Sequence, residues 1–415
     1  MQSIDIGSKP GSSPRLTTEC GEPKLPRRDF FLLPMICLLT IFLLAGSIKW
    51  IALHHYSFSK TLIAKCVVLN DPSTGPRGIP NCVCWEKVPE NPGTEYRFNR
   101  DGYRAGFDLG PKQPGTYRIV MTGSSFAMGH RVTREESFAA LLPGKLSSRT
   151  GRSIELYNEA MAWGFAHPTA LRFKDVLAAK PDLILWVIDP LDVQKSGFVS
   201  PLLENTNPHH TSSDADSTRS LPARFLTSFK SRLKGVNGGQ DIVGMETAIM
   251  LRHWIYRSQS IYVKSWLMES DDAAGYLRDQ PSPLWKSYLQ QFDLDAADIE
   301  EQAKAAGIPF VAAYVPDRAQ AAMISSGQWP EGYNPYKLGD ELRAIVESHG
   351  GTYIDISSGF RTVPMAEQYF IPVDGHPNPR GQSIICDLLL RELTGGAVPS
   401  LNASGLPQTA LANGK

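Results

Sequence analysis

Two short stretches hold the side chains that could do chemistry. The first is Thr116-Tyr-Arg-Ile-Val-Met-Thr-Gly-Ser-Ser125-Phe-Ala-Met-Gly129, a β-type run from Tyr117 to Thr122 followed by Gly123 and two serines. The second is Val373-Asp374-Gly-His376-Pro-Asn378-Pro-Arg-Gly381. A serine hydroxyl is a weak nucleophile until a base removes its proton. Histidine suits that task near neutral pH, and a carboxylate fixes its tautomer and stabilises the imidazolium. Ser125, His376 and Asp374 therefore spell the parts of a Ser-His-Asp hydrolase or acyltransferase.

The elements around them place these groups. In the run before Gly123 a buried strand leads into a helical pattern at Phe138, Leu141 and Leu142, and open α/β sheets carry reactive groups at the carboxyl ends of their strands. Pro143-Gly144 is expected to interrupt that first helix. Further strands are expected at Ile154–Tyr157, Leu183–Ile188, Pro309–Val315 and Thr352–Ile356. Helices are expected around Thr169–Ala179, Ala297–Ala306, Leu338–Ser348 and Pro379–Leu393, the last opened by Asn378 as N-cap and Pro379 at its first position. Strands alternating with helices imply a mostly parallel sheet covered on both faces. An insertion at about 194–295 interrupts the pattern. Its first part, Asn205–Ser220, is polar and reads as a loop. Its second, Glu246–Leu267, reads as helical and packed, with a place over the crevice as the alternative role. Tyr96 to Arg104 reads as a small hairpin turning at Asp101-Gly102.

The amino end is different in kind. Residues 1–28 are rich in Ser, Pro, Gly and Thr and read as a disordered cytoplasmic tail. Phe30 to Ile48 is nineteen residues without a charge, enough at ~1.5 Å per residue to cross roughly 30 Å of hydrocarbon. Residues 29–54 are thus expected to form a transmembrane anchor, not a cleaved signal, and Lys24, Arg27 and Arg28 before it place the bulk of the chain outside the cytoplasmic membrane. Cys66 could then pair with Cys82 or Cys84. Net charge is zero, with 42 basic and 42 acidic side chains among 415 residues, so no nucleic-acid footprint is present. The pairs His54-His55 and His209-His210 are adjacent and cannot face one site on a regular element; no metal, nucleotide or other cofactor is expected.

The residues also resemble a family. Gly123-Ser-Ser125-Phe with Gly129 looks like the first block of the SGNH (GDSL-type) hydrolases, and Asp374-Gly-His376-Pro-Asn378-x-x-Gly381 looks like their last, over about residues 95–395. The resemblance implies a flavodoxin-like three-layer α/β sandwich, with Ser125 as nucleophile, His376 as base and Asp374 as its orienting acid. Membrane-anchored members with this layout are similar to proteins that add or remove acyl groups on exported polysaccharides, as in alginate acetylation. Three positions depart from the pattern. Ser124 replaces an Asp, Trp163 stands where a glycine would and Gly164 falls one place late, and Leu191 replaces the Asn before Asp192. Ser124, Gly164 and Asn158 are the remaining oxyanion candidates.

The expected organisation is a tail (1–28), an anchor (29–54), an extracytoplasmic linker with a hairpin (55–115), the α/β domain (116–394) and a disordered tail (395–415). The expected activity is a periplasmic serine esterase or O-acyltransferase acting on acylated carbohydrate, in contact with polysaccharide-export proteins. The alternative is a weakly active or inactive glycan-binding protein on the same fold.

Overall fold

The computed structural model describes residues 29–55, 65–69, 71, 73–88, 90–196, 241–269 and 272–402. The expected tail at 1–28, the loop at Asn205–Ser220 and residues 403–415 lie outside them. The chain divides into two units at Ile51/Ala52. The first contains most of helix α1, Asp29–His55, along which the side chains from Leu32 to Leu44 are exposed. Among the described residues no helix is long and apolar enough to cross a membrane.

The second unit is built on five strands: β5 (Thr116–Gly123), β6 (Ser153–Asn158), β7 (Leu183–Ile188), β8 (Phe310–Tyr314) and β9 (Thr352–Asp355). They pair in the order β6-β5-β7-β8-β9, and every pairing is parallel. This is the doubly wound order with a reversal next to β5. All six residues of β7 are buried, as continuous apolar composition requires of a strand covered on both faces. Helix α3 (Phe138–Thr150) packs with α11 (Pro379–Glu392), and α4 (Ala166–Ala178) packs with α8 (Pro283–Ala305), which also meets α10 (Lys337–His349). Trp186 of β7 stacks on Phe292 of α8 at 5.3 Å and 11°.

The helix expected around Ala297–Ala306 begins at Pro283, inside the expected insertion, and three further expectations change. Pro143 does not end α3, which runs on to Thr150 with the proline inside it. Proline costs a backbone bond there, but Phe138, Leu142 and Leu146 form one buried stripe. Ser137 caps the start, accepting from the Ala140 amide, and Gly151 closes the end in the left-handed region. Burial of the stripe outweighs the lost bond. The hairpin is not centred on Asp101-Gly102. It is β3 (Val83–Val88) against β4 (Asn91–Arg97), antiparallel from Val83↔Arg97 to Val88↔Asn91. Asp101-Gly102 instead closes a loop on Asn99, whose side chain accepts from the amides of Asp101 and Tyr103. Last, the tail expected from Gly395 stays packed as far as Leu401: Val398 and Leu401 are buried and Ser400 hydrogen-bonds Tyr117 at 2.6 Å.

Two short strands, β1 (Val67–Val68) and β2 (Arg77–Gly78), precede the hairpin. Cys66 is bonded to Cys82, and Cys84 is free and buried. Of the two pairings open in the sequence, the fold takes the one that ties β1 to the start of β3.

Candidate active site

Strand β5 stops at Gly123, where φ is 143° and a Cβ would sit 2.4 Å from the Val187 carbonyl oxygen. Only glycine permits that turn so close to β7. The chain then enters a single helical turn, α2 (Ser125–Met128), closed by Gly129 in the left-handed region. Ser125 thus stands at the carboxyl end of β5, beside the reversal of strand order, where such folds place ligands. Its amide opens α2 and has no intrahelical acceptor.

His376 and Asp374 come from a loop held at both ends. Asn378 caps α11, accepting from the amides of Arg380 and Gly381 at 3.1 Å each. The Ile371 amide donates to the His376 carbonyl at 2.8 Å, and the Gly375 amide to that of Ile371 at 2.9 Å. Gly375 turns between the two functional residues with φ of 85°.

The three groups meet in a line. His376 Nε2 is 2.8 Å from Ser125 Oγ, and His376 Nδ1 is 2.5 Å from Asp374 Oδ1. The far oxygen of Asp374 accepts from Arg131 Nε at 2.8 Å. Burial opposes ionisation of Asp374, but His376 and then Arg131 outweigh it and hold the carboxyl well below the usual range. Arg131 also donates to Glu86 of β3 at 2.7 Å. Glu90, between β3 and β4, accepts from the amides of Val373 and Asp374, the latter at 2.8 Å, and contacts His253 Nδ1 at 2.8 Å. The His130 ring lies 4.9 Å from that of His376 and bonds the Tyr96 hydroxyl at 2.8 Å. Burial first, then the charge of Arg131, pushes His130 well below its ordinary value, so it stays neutral.

Ser125 and His376 open into a cavity of about 250 Å³. The insertion forms much of its wall. Arg252 and Tyr256 come from α6 (Asp241–Ile255) and the turn after it, and Tyr262 and Trp266 from α7 (Gln259–Glu269). Arg318, which opens α9 (Arg318–Ser326), donates to the carbonyls of Pro372 and Tyr256, tying this wall to the loop of Asp374.

The oxyanion candidates stand elsewhere. Ser124 Oγ donates to Asp189 at 2.9 Å and Asp192 at 3.3 Å. Asn158 donates to the Ala127 carbonyl at 3.0 Å and accepts from the Ala160 amide, fastening α2 to the end of β6. The Gly164 amide donates to the Met161 carbonyl at 2.8 Å. None of the three lines the cavity. The resemblance expects glycine at 163, and the backbone keeps the form glycine would favour: Trp163 has φ of 61°. Asp189 does line the cavity. It caps α5 (Pro190–Gln194) reciprocally with Asp192, whose carboxylate accepts from the Asp189 amide at 2.8 Å. Burial, then the neighbouring charge of Asp189, pushes Asp192 well above the carboxylate range, and burial raises Asp189.

No family model and no curated protein matches the chain. The solved structures it resembles include esterases and lipases. TesA is 12% identical, over 67% of this chain and 98% of that one, with a TM-score of 0.36. Esterase EstA from Pseudoalteromonas sp. is 11% identical over 67% and 97%, with a TM-score of 0.36. A GDSL-like lipase from Bacteroides thetaiotaomicron is 13% identical over 70% and 92%, with a TM-score of 0.31. Likenesses this remote decide neither fold nor function, and both rest on the chain's own topology and site.

Sequence reasoning named the three residues now in line. It missed Glu86, Glu90, Tyr96, His130 and Arg131. No local signal marked them, since their partners lie far away in the chain, as Arg131 does from Asp374.

Proposed function

We propose that the chain is a serine esterase or O-acyltransferase of the SGNH (GDSL) type, with Ser125 as nucleophile, His376 as general base and Asp374 as the acid that orients it. The observation that carries this is the unbroken line from Ser125 Oγ to His376 at 2.8 Å and on to Asp374 at 2.5 Å. In the reaction Ser125 Oγ attacks an ester carbonyl while His376 Nε2 takes its proton. The tetrahedral adduct collapses, the alcohol leaves with that proton, and an acyl-serine remains. Water or a sugar hydroxyl then attacks the acyl-serine, with His376 as base again. The first gives hydrolysis and the second transfer.

The proposed setting is the outer side of a cytoplasmic membrane, with an acylated carbohydrate as substrate. The nineteen uncharged residues Phe30–Ile48 support an anchor, although the described part of α1 falls short of a span by itself, and the Cys66–Cys82 disulfide supports an oxidising compartment. Alkaline extraction of membranes tests it: release of the full chain into the supernatant sinks the anchor.

One observation favours a second reading, a glycan-binding protein with little activity. Ser124, Asn158 and Gly164 all spend hydrogen bonds inside the fold, and loss of one oxyanion donor costs about 3 kcal/mol in the transition state. A fluorophosphonate probe decides between the two. The full chain in detergent is labelled at Ser125 on the first reading, and Ser125→Ala and His376→Ala are not. A folded parent that takes no label leaves the second.

A further inference from the structure

We infer that Arg131 and Glu86 are positioning residues that set the strength of the base, so the working unit is five residues and not three. The inference rests on the serine-hydrolase reading above. Arg131 lies between two carboxylates, with Nε 2.8 Å from Asp374 and Nη1 2.7 Å from Glu86. It is held there from the hairpin side: its amide donates to the Tyr96 hydroxyl at 3.0 Å, and its carbonyl accepts from Asn91. Its φ is 69°, a conformation non-glycine residues seldom take. Strain of this kind persists where the surroundings over-determine it, and it gathers at functional sites.

The charges explain the arrangement. A lone Asp374 beside a buried arginine would be overpaired, and the imidazolium formed on His376 during attack would gain little from it. Burial pushes the Glu86 carboxyl above its ordinary value and the Arg131 charge pulls it back; once ionised, Glu86 takes up the second fork of Arg131 and cancels its charge. The trio Glu86, Arg131 and Asp374 then carries one net negative charge, which is what the imidazolium needs. Other groups face His376 from the remaining elements: neutral His130 after α2, Asp189 at the end of β7, and Asp317, Arg252 and Arg318 around the cavity. His130 also faces Glu86, with Nε2 3.9 Å from its carboxylate. Strand β3 therefore reaches into the chemistry through one residue, Glu86, while its neighbour Trp85 faces solvent on the opposite side.

The test reads the rate of labelling of Ser125 by a fluorophosphonate probe against pH, on the full chain in detergent. The parent rate falls on the acid side as the base is protonated. Removing negative charge with Glu86→Gln should move that limb to lower pH, and removing positive charge with Arg131→Gln should move it to higher pH. Each shift is expected to be about half a unit or more. Glu86→Gln combined with Arg131→Gln should return the limb towards the parent. Arg131→Lys keeps the charge but not the planar fork, so it should hold the limb in place and lower the plateau rate by about tenfold. Limbs that stay put in both single variants, or move the same way, overturn the inference. If Arg131→Gln fails to fold, an unmoved limb in Glu86→Gln overturns it alone. An unlabelled parent sinks the serine-hydrolase reading itself, which separates the two failures.

Discussion

Two acidic sites flank Ser125, and they are built in opposite ways. Asp374, on the α11 side, has both oxygens bonded to cationic or ionisable donors, His376 and Arg131, and it is held ionised. Asp189 and Asp192, on the β7 side, face each other across the Ser124 hydroxyl, with no cation bonded to either among the described residues. One oxygen of Asp192 is buried with no hydrogen-bond partner among the described residues. The residue type is the same, but the partners differ. A carboxyl given cations is a fixed negative charge, whereas a carboxyl given burial and another carboxyl keeps a proton. The first can stabilise an imidazolium. In the second pair, burial and the charge of Asp189 keep the proton on Asp192, which can only cap, accept and donate as a neutral group.

The largest expected effect tests the first half of that contrast. Asp374→Asn keeps the shape but removes the charge and reverses the preferred tautomer of His376. The labelling rate of Ser125 should fall by about 10³- to 10⁴-fold, measured with the probe already described. A fall under tenfold would mean that Asp374 does not orient the base. The next effect is on stability. The Asp192 value is raised in the folded chain, so its favourable contribution is complete below the ordinary carboxyl value of about 3.9 and declines as pH rises above it. Asp192→Asn removes a group that must stay protonated. Between pH 5 and pH 8 the parent should lose stability relative to this variant. Denaturant melts at both pH values check it, and parallel curves would show that Asp192 is ionised after all. Asp374 works with the other sign. Its value is depressed, so its contribution is present above about 3.9 and is lost as pH falls below that. Asp374→Asn should therefore flatten the acid side of the stability curve and leave the alkaline side alone.

The same contrast explains what was legible in the sequence. Strand ends were legible because β5 and β7 are apolar runs that stop at Gly123 and Asp189, and such stops mark the crevice of a parallel sheet. Ser125, Asp374 and His376 were legible because each sits in a short local string whose turn and cap residues belong together. The partners of Asp374 were not. Arg131 is 243 residues from Asp374 in the chain, and no local pattern joins a residue after α2 to a strand of the hairpin and a loop before α11. The same holds for the oxyanion candidates: residue type suggested donors at Ser124, Asn158 and Gly164, but which acceptor each donor meets is a property of the packed fold. Pro143 misled for a related reason, since a local cost was offset by a buried stripe whose partner, α11, lies more than two hundred residues away.

The smallest expected effect is the sharpest comparison, because it makes the same substitution on the other side of the serine. Asp189 accepts from the Leu191 amide at 2.7 Å and from Ser124 at 2.9 Å. Asparagine caps a helix as well as aspartate does, and its carbonyl oxygen can accept either bond. Asp189→Asn should therefore change the labelling rate by less than about tenfold, a difference of no more than ~1.4 kcal/mol. An increase is a permitted result, since the new amide places a donor on the wall of the cavity, the kind of group that Ser124, Asn158 and Gly164 do not supply there. A fall as deep as that of Asp374→Asn would mean that the Asp189 carboxyl itself takes part in the chemistry. The two sides of Ser125 would then be alike in role, and the contrast drawn from their partners would fail.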